Sequence, residues 1–284
     1  MSESPDLVLI GHLTADITAD GRVAGGTVSY AARTATAFGL NVGVLTSAAP
    51  DESLLNAISP YASLHVLPSE QTTTFENIYS QEGRVQYVRG VAAPLHAQDV
   101  PEAWLNAPFV HIAPIANEVQ WDVAARFPHA TVMLTLQGWL RRWNDTGLVR
   151  FKPWHDTRVL KHIDVVVFSE EDIAEAPEIE ALYAASVKHV LVTRAERGGT
   201  YYHCGKPMTF STPSVELVNP TGAGDVFAAS LLASLRAFDG DYGAAIQVAA
   251  RLAALSVTRS GLYGAPTPDE AATAIREVRK IHNA

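Results

Sequence analysis

The sequence predicts an α/β fold with a doubly wound, mostly parallel central sheet and flanking helices. Three observations carry this. Short, nearly continuous apolar runs recur at Leu7–Ile10, Val42–Leu45, Phe109–Ala113, Thr131–Leu136, Asp164–Phe168 and Val190–Thr193, as suits strands covered on both faces. Helix-like segments fall between them at Val28–Phe38, Glu52–Ile58, Val119–Arg126, Glu178–Val187 and Ala244–Thr258. Finally, 284 residues with 48% hydrophobic and 18% charged content can build one large core, which excludes a disordered chain. The rhythm is that of βαβ units, whose ligands sit at the C-terminal ends of the strands.

In chain order, Leu7–Ile10 opens the sheet. Thr14–Gly25 breaks the rhythm and reads as extended, with a turn at Asp20-Gly21. Val28–Phe38 is the first helix and Val42–Leu45 the next core strand. Thr72–Val88 breaks the rhythm again and reads as a hairpin turning near Glu82-Gly83. The later core runs then alternate with the remaining helices. Val215–Val218 has an extended, β-branched look, and the apolar Val226–Leu235, rich in helix formers, follows it. No repeat, low-complexity segment or Pro/Gly-rich linker divides the chain, so residues 1–284 are expected to form a single domain.

The most informative stretch is Asn219-Pro220-Thr221-Gly222-Ala223-Gly224-Asp225-Val226-Phe227. Glycines at the start of a helix let backbone N–H groups point at an anion where the helix dipole is positive. Asp225 beside them is a candidate base for a hydroxyl about to attack a phosphate. A dinucleotide fingerprint fails because Phe227 takes the third glycine position. A Walker loop fails because Gly199 to Gly205, followed by Lys206-Pro207, has the wrong spacing and ending. The remaining alternative is an ordinary glycine turn with an acid stabilising its helix.

That segment resembles the C-terminal signature D-x-T-G-A-G-D-x-F of the ribokinase-like (PfkB) carbohydrate kinases. The resemblance implies that Gly222, Ala223 and Gly224 form an anion hole for the transferring phosphate and that Asp225 is the catalytic base. Asn219 departs from the first Asp of the signature. Further segments are similar to the same family. Gly11-His12-Leu13-Thr14-Ala15-Asp16 resembles its first strand end, with Asp16 bonding acceptor hydroxyls. Gly25-Gly26-Thr27-Val28-Ser29-Tyr30 resembles its N-terminal signature, which makes Gly25, Gly26 and Tyr30 acceptor-binding candidates; Tyr30 stands where the family often has Asn. Val190–Gly198 resembles the V-T-x-G-x-x-G nucleotide segment, with Ala195 replacing its first glycine. Thr193, Arg194, Arg197 and Thr221, together with Ala250 in the small-residue helix flanking the adenine pocket, are therefore the nucleotide candidates. Ser169-Glu170-Glu171-Asp172 lies where the family carries N-x-x-E, so Asp172 is the metal-site candidate. ATP and Mg²⁺ are the implied cofactors, and a monovalent cation stays open.

The resemblance further implies a ribokinase-like fold with a small β-lid, from about 14–25 and 72–90, that excludes water competing with the acceptor. A peripheral hairpin without a gating role is the alternative. The acceptor is expected to be a small sugar or polyol. Tyr30 and the Thr72–Tyr79 stretch resemble an inositol-kinase-like branch, which favours a cyclitol such as myo-inositol. A nucleoside stacking its base on Phe75 or Tyr79 is the second choice, and a catalytically weakened sensor the third.

Composition limits the partners. The net charge of −9 argues against nucleic acid or an anionic membrane, and no uncharged apolar run reaches membrane-spanning length. A single cysteine, Cys204, and an acidic start without a basic signal-peptide region fit a cytoplasmic protein, monomeric or homodimeric. Ten histidines show no zinc spacing. His111 reads as a satisfied core-edge histidine and Cys204 as a small packed side chain. Leu136–Trp143, with Arg141 and Arg142, reads as a solvated loop with packing tryptophans, and Arg89 and Arg197 as cations near phosphate. Asp225 is expected to be ionised because a helix N-terminus favours its charged form.

Overall fold

The computed structural model describes residues 4–19, 21–80 and 83–282, with the backbone alone described at 79, 80, 83 and 84. In chain order the elements are β1 (Leu7–Ile10), β2 (Thr14–Thr18), β3 (Gly21–Gly25), α1 (Thr27–Ala37), β4 (Val42–Ala48), β5 (Ser63–Pro68), β6 (Thr74–Ser80), β7 (Gly83–Gly90), β8 (Phe109–Ile112) and β9 (Thr131–Thr135). They continue with β10 (Arg141–Trp143), β11 (Val149–Phe151), α2 (Thr157–Leu160), β12 (Val165–Ser169), α3 (Ile179–Ser186), β13 (His189–Thr193), β14 (Gly199–His203), β15 (Lys206–Phe210), α4 (Ala223–Ala237), α5 (Tyr242–Ser256) and α6 (Pro268–His282).

The main sheet has nine strands in the order β15-β14-β13-β12-β9-β8-β1-β4-β5. From β13 to β5 all neighbours pair in parallel, and the β14–β15 hairpin adds an antiparallel edge. Both faces are covered. Val8, Ile10, Val110, Ile112, Val132, Leu134 and Val166 belong to one core, while Leu7, Leu9, Met133, Val165, Val167 and Leu191 pack with residues of α1, α4 and α5 in another. This two-sided burial is why each strand reads as an unbroken apolar run. The order reverses around β1, which has β4 on one side and β8 on the other. The crevice beyond β1 is therefore the topological switch point of the sheet.

A second, four-stranded sheet, β3-β2-β6-β7, is built from the two segments that break the α/β rhythm. Its turn residues Asp20, Gln81 and Glu82 lie outside the described residues. Asp16 stands opposite both Val23 and Phe75, Phe75 opposite Val88, and Asn77 opposite Gln86, so these share one face. Ile17, Ile78 and Val85 lie on the other face and are exposed. The short β10–β11 hairpin continues this region, with Gly147 accepting from Val88 N (2.8 Å).

Several elements differ from the sequence reading. Val215–Val218 is an exposed loop rather than a strand, with Leu217 64% exposed. The β14–β15 hairpin already occupies the sheet edge, and the loop instead crosses α5, where Val218 N and Asn219 N both donate to Val257 O. Glu52–Ile58 and Val119–Arg126 form 3-10 turns at Ser53–Ala57 and Trp121–Arg126. Cys204 is exposed, not packed. Cys204 and Gly205 both have positive φ (49° and 77°), which suits the two-residue turn joining β14 to β15. No helix among the described residues is long and apolar enough to cross a membrane.

The helix α6 carried a readable signal in Thr267-Pro268-Asp269-Glu270. Glu270 N donates to Thr267 Oγ1 (3.3 Å) and Thr267 N to Glu270 Oε2 (2.8 Å), a reciprocal cap. Ala271, Ala274 and Val278 then bury one face. Thr267→Ala is expected to cost about 1 kcal/mol of stability, read as a lower denaturant midpoint with unchanged slope.

Candidate active site

At the end of β1 the chain passes close to the loop after β8: a Cβ on Gly11 would stand 2.2 Å from Ala113 O. His12, fully buried, then joins the two sheets. Its backbone N–H donates to Glu118 Oε1 (3.0 Å), Nε2 lies 3.0 Å from Ala93 O, and Nδ1 lies 2.6 Å from Thr73 Oγ1. A carbonyl only accepts, so Nε2 carries the proton and Nδ1 accepts from the Thr73 hydroxyl. Burial lowers the His12 pKa against the opposing charge of Glu118, in keeping with that neutral ring. Thr73 Oγ1 also accepts from Ala92 N (2.9 Å), and Glu118 from Ile115 N and Ala116 N. Sequence reasoning passed over His12, Thr73 and Glu118, because their partners are far apart in the chain.

Asp16 follows on β2. A Cβ on Gly25, opposite Thr14, would stand 2.4 Å from Asp16 Oδ2, and one on Gly26 (φ +85°) 2.6 Å from His12 O. The Gly-Gly pair therefore lets α1 begin hard against the β1–β2 segment. The first residue of α1, Thr27, donates its hydroxyl to Asp225 Oδ1 at 2.7 Å. This bond ties the N-termini of α1 and α4 together across 198 residues of chain.

Asp225 is pushed up to about 6, first by burial. The Thr27 hydrogen bond and the Arg141 charge oppose the shift, and the charges of Asp172 and Asp16 add to it. The sequence expectation that the helix N-terminus dominates is corrected here. Desolvation of the carboxylate wins, although a group near 6 is still largely ionised at neutral pH. Gly222, ahead of α4, has φ +86°, and a Cβ there would lie 2.2 Å from Tyr30 Cε1. Apart from its chain neighbours and its own helix backbone, a Cβ on Gly224 would meet no atom of the described residues within 4 Å. Tyr30 is buried beneath Gly222, among Val226, Ala244, Val248 and Leu252, and burial followed by the charges of Asp225 and Asp16 keeps its phenol neutral. It backs the glycine turn from the helix side.

Asp172 lies in the 3-10 turn after β12. It accepts from Ser169 N (2.9 Å) and Gln137 Nε2 (3.1 Å), and its charge reaches Asp225. No group of three or more His, Cys, Asp or Glu able to hold a metal occurs among the described residues. Thr193 ends β13. Arg194 Nη2 donates to both Glu180 carboxylate oxygens at 2.7 and 2.8 Å, and Arg197 pairs with Glu170, so acids already neutralise both cations. Ala195, in the family's glycine position, keeps the glycine-like φ of +49°. Asn219 Oδ1 accepts from Thr221 N (2.9 Å), an Asx turn that Asp makes equally well. Ala250 is buried on α5, its carbonyl accepting from Thr212 (3.2 Å).

Arg141 corrects the solvated-loop reading. It begins β10, is 9% exposed, donates to Ile115 O (2.9 Å) and lies 5.4 Å from the centre of the Phe75 ring. Trp139 does pack, donating Nε1–H to Val119 O (3.0 Å). Phe75 is buried against Val88, Ile115 and Ala116, and the Tyr79 side chain lies outside the described residues. Arg89 is paired with Glu76 on the small sheet (2.7 Å). His111 is fully buried and only half satisfied. Its Nε2 meets Thr135 Oγ1 (3.1 Å), Nδ1 has no partner among the described residues, and burial lowers its pKa to about 3. A separate groove of about 1010 Å³ lies between β14–β15 and α5, near the start of β13. Its acid, Asp241, caps α5 through Ala244 N (3.2 Å).

Comparison with known proteins accords with this geometry. Residues 153–270 match the pfkB family carbohydrate kinase model. The chain is 30% identical over 254 residues to a cytidine kinase of Thermococcus kodakarensis, covering 80% of this chain and 87% of that one. Among solved structures, a pyrophosphate-dependent kinase in the ribokinase family, complexed with a pyrophosphate analog and myo-inositol, superposes with a TM-score of 0.80 at 20% identity. That match covers 94% of this chain and 99% of the other. Arabidopsis thaliana ribokinase, complexed with ribose and ATP, gives 0.74 at 18% identity, over 96% and 99%. The architecture is the ribokinase fold, and the enzyme is a phosphotransferase acting on a hydroxyl group of a sugar or nucleoside. The chain belongs to the pfkB family of carbohydrate kinases.

Two predictions follow from the strained groups. Because the folded pKa of Asp225 is raised from 3.8 to about 6, the unfolded chain gives up this proton more readily. Wild-type stability therefore falls between pH 4 and 6 and stays lower above that range. Asp225→Asn escapes this loss. It should be more stable than wild type at pH 7 by on the order of 2–3 kcal/mol, with the gap closing toward pH 4 in denaturant titrations. Ala195→Gly should add about 1 kcal/mol by relieving the left-handed backbone, measured in the same way.

Proposed function

We propose that this protein transfers the γ-phosphoryl group of Mg·ATP, in line, to a hydroxyl of a small polyhydroxylated acceptor. The observation that carries the reading is Asp225, held by Thr27 at the N-terminus of α4 with a carboxylate raised to about 6. A base near 6 stays ionised at neutral pH yet accepts a proton more readily than an ordinary carboxylate. In this role it takes the acceptor's proton as the new oxygen–phosphorus bond forms and the bond from the γ-phosphorus to the bridging oxygen breaks, ADP leaving with that oxygen. The N–H groups of Gly222, Ala223 and Gly224 meet charge growing on the transferring phosphate. The positive φ of Gly222 and the open space beside Gly224 fit an anion in that cradle. Neither packing nor φ asks for glycine at 224, whereas close approach by a phosphate does.

Bound Mg·ATP supplies the transferable phosphoryl group and offsets charge on its oxygens. Asp172, whose charge Asp225 already feels, is the residue we place toward the magnesium ion. Thr193 and Thr221 border the phosphates and Ala250 the adenine. Arg194 and Arg197 act by fixing that loop through Glu180 and Glu170. Asp16 orients the acceptor's hydroxyls, and Gly25 and Gly26 make room for it. Arg141 shields the acids from one another. The small sheet serves as the lid, covering the acceptor and keeping water from taking the phosphate. The exposed Ile17, Ile78 and Val85 support a homodimer over a monomer, and the exposed lone thiol of Cys204 supports a cytoplasmic setting.

For the acceptor we adopt a nucleoside, phosphorylated on its ribose. The support is the cytidine kinase similarity, at 30% identity over 80% of the chain. The cyclitol favoured by the sequence on Tyr30 and the Thr72–Tyr79 stretch gains only a likeness of fold at 20% identity, and it is the second reading.

Coupled ADP release with Mg·ATP across nucleosides, pentoses, hexoses and cyclitols tests the assignment. One acceptor class should turn over, with kcat/KM falling below pH 6 as Asp225 takes up its proton. Asp225→Asn should keep ATP binding and lose at least about 10³-fold in kcat. Turnover retained in that variant would sink the role of Asp225.

A further inference from the structure

We infer that the side-chain amides of Asn77 and Gln86, on the cleft face of the small sheet, read the hydrogen-bonding edge of the acceptor's base. This rests on the nucleoside reading above and adds the residues that discriminate among bases.

Strand register puts the pair there. Asp16 of β2 stands opposite Phe75 of β6. Side chains alternate along a strand, so Asn77 shares that face and stands about 7 Å further along β6 than Phe75. Across the antiparallel pair Gln86 is its direct partner. The face is that of the acids: Gly25, opposite Thr14, approaches Asp16 Oδ2, and Arg141 lies against Phe75 while its charge reaches Asp225. The opposite face carries the Glu76–Arg89 ion pair and the exposed Ile17, Ile78 and Val85.

The chemistry of the pair is specific. Gln86 Nε2 donates to Asn77 Oδ1 at 2.9 Å, and both residues are half-buried. That bond fixes the two side chains against each other. It presents the Asn77 amide N–H donors beside the Gln86 carbonyl acceptor. Exchanging the amide orientations still leaves one donor next to one acceptor. A pyrimidine edge offers the complement, a ring-nitrogen acceptor beside an exocyclic amine, or an imide N–H beside a carbonyl. The pair stands two residues along β6 from the Asp16–Phe75 level, about 7 Å further on, which is where a base borne on a ribose held at Asp16 would lie. Val23, opposite Asp16 on the same face and 46% exposed, supplies an apolar flank for such a ring.

The test compares wild type, Gln86→Met and Asn77→Leu as full-length enzymes, with cytidine, uridine, adenosine and free ribose as acceptors and Mg·ATP as donor. Wild type should turn over a pyrimidine nucleoside. Each variant should raise its KM about tenfold, as for one lost hydrogen bond, with kcat within about twofold. Any turnover of free ribose should be unchanged, and discrimination among the bases should narrow. Far-UV circular dichroism and thermal midpoints should match those of wild type. If wild type accepts a nucleoside but the variants leave KM and base preference intact, or shift ribose equally, the role of the pair is overturned while the nucleoside reading stands. If wild type ignores every nucleoside and turns over a sugar or cyclitol, the acceptor reading and the base contact both fall.

Discussion

A half-buried carboxylate at the start of a helix is the constraint around which this structure is arranged. Burial alone costs Asp225 more than its helix dipole returns, which is why its pKa rises rather than falls. The Thr27 hydroxyl and the Arg141 charge make that burial tolerable. Each depends on a distant part of the chain. Thr27 is in place because Gly25 and Gly26 let α1 start against His12 and Asp16. Arg141 is in place because a two-stranded hairpin follows β9 and turns the guanidinium onto Phe75. The acid that disfavours the fold at neutral pH is the one suited to accept a proton there, a common conflict between stability and function at active sites.

The second arrangement is the junction between the sheets. His12, Thr73, Ala93 and Glu118 form a buried polar network at the switch point of the main sheet. A neutral imidazole accepts one bond and donates another here, and a carboxylate gathers backbone N–H groups from two loops. Buried polar groups carry large penalties when unpaired, so such a network admits few alternative geometries. Its consequence is positional: β2 and β6 leave the body at a set angle, and Asp16, Phe75 and Asn77 are brought to one face of the cleft.

Departures from the family pattern prove mild in physical terms. Asn219 makes the Asx turn that an aspartate makes, with one charge fewer. Ala195 adopts the left-handed backbone of the glycine it replaces. Ser169 and Asp172 close a cap on the turn after β12, and that cap sets the direction of Asp172. Tyr30 is the largest change, and its ring fills space behind Gly222 rather than in front of it.

The central strands β1, β4, β8, β9, β12 and β13, the glycine turn with its acid and the helices α1, α4 and α5 were legible because each rests on local signals, whereas the edge strands β5, β14 and β15 were not read. Two-sided burial gives continuous apolar runs, and glycines mark backbone that no other residue fits. The sequence alone also carried the family, since the residues around Asp225 keep their chemistry in one contiguous stretch. Only the tertiary structure decided the rest. Whether Val215–Val218 paired as a strand depended on which segment holds the sheet edge, and the β14–β15 hairpin holds it. Whether Arg141 was solvent-facing or buried depended on a hairpin folding over Phe75. The sign of the Asp225 shift depended on how much water the packing excluded, and the partners of His12 lay 61 to 106 residues away. Charge, desolvation and pairing across such separations are properties of assembled surfaces, and no local pattern in a chain encodes them.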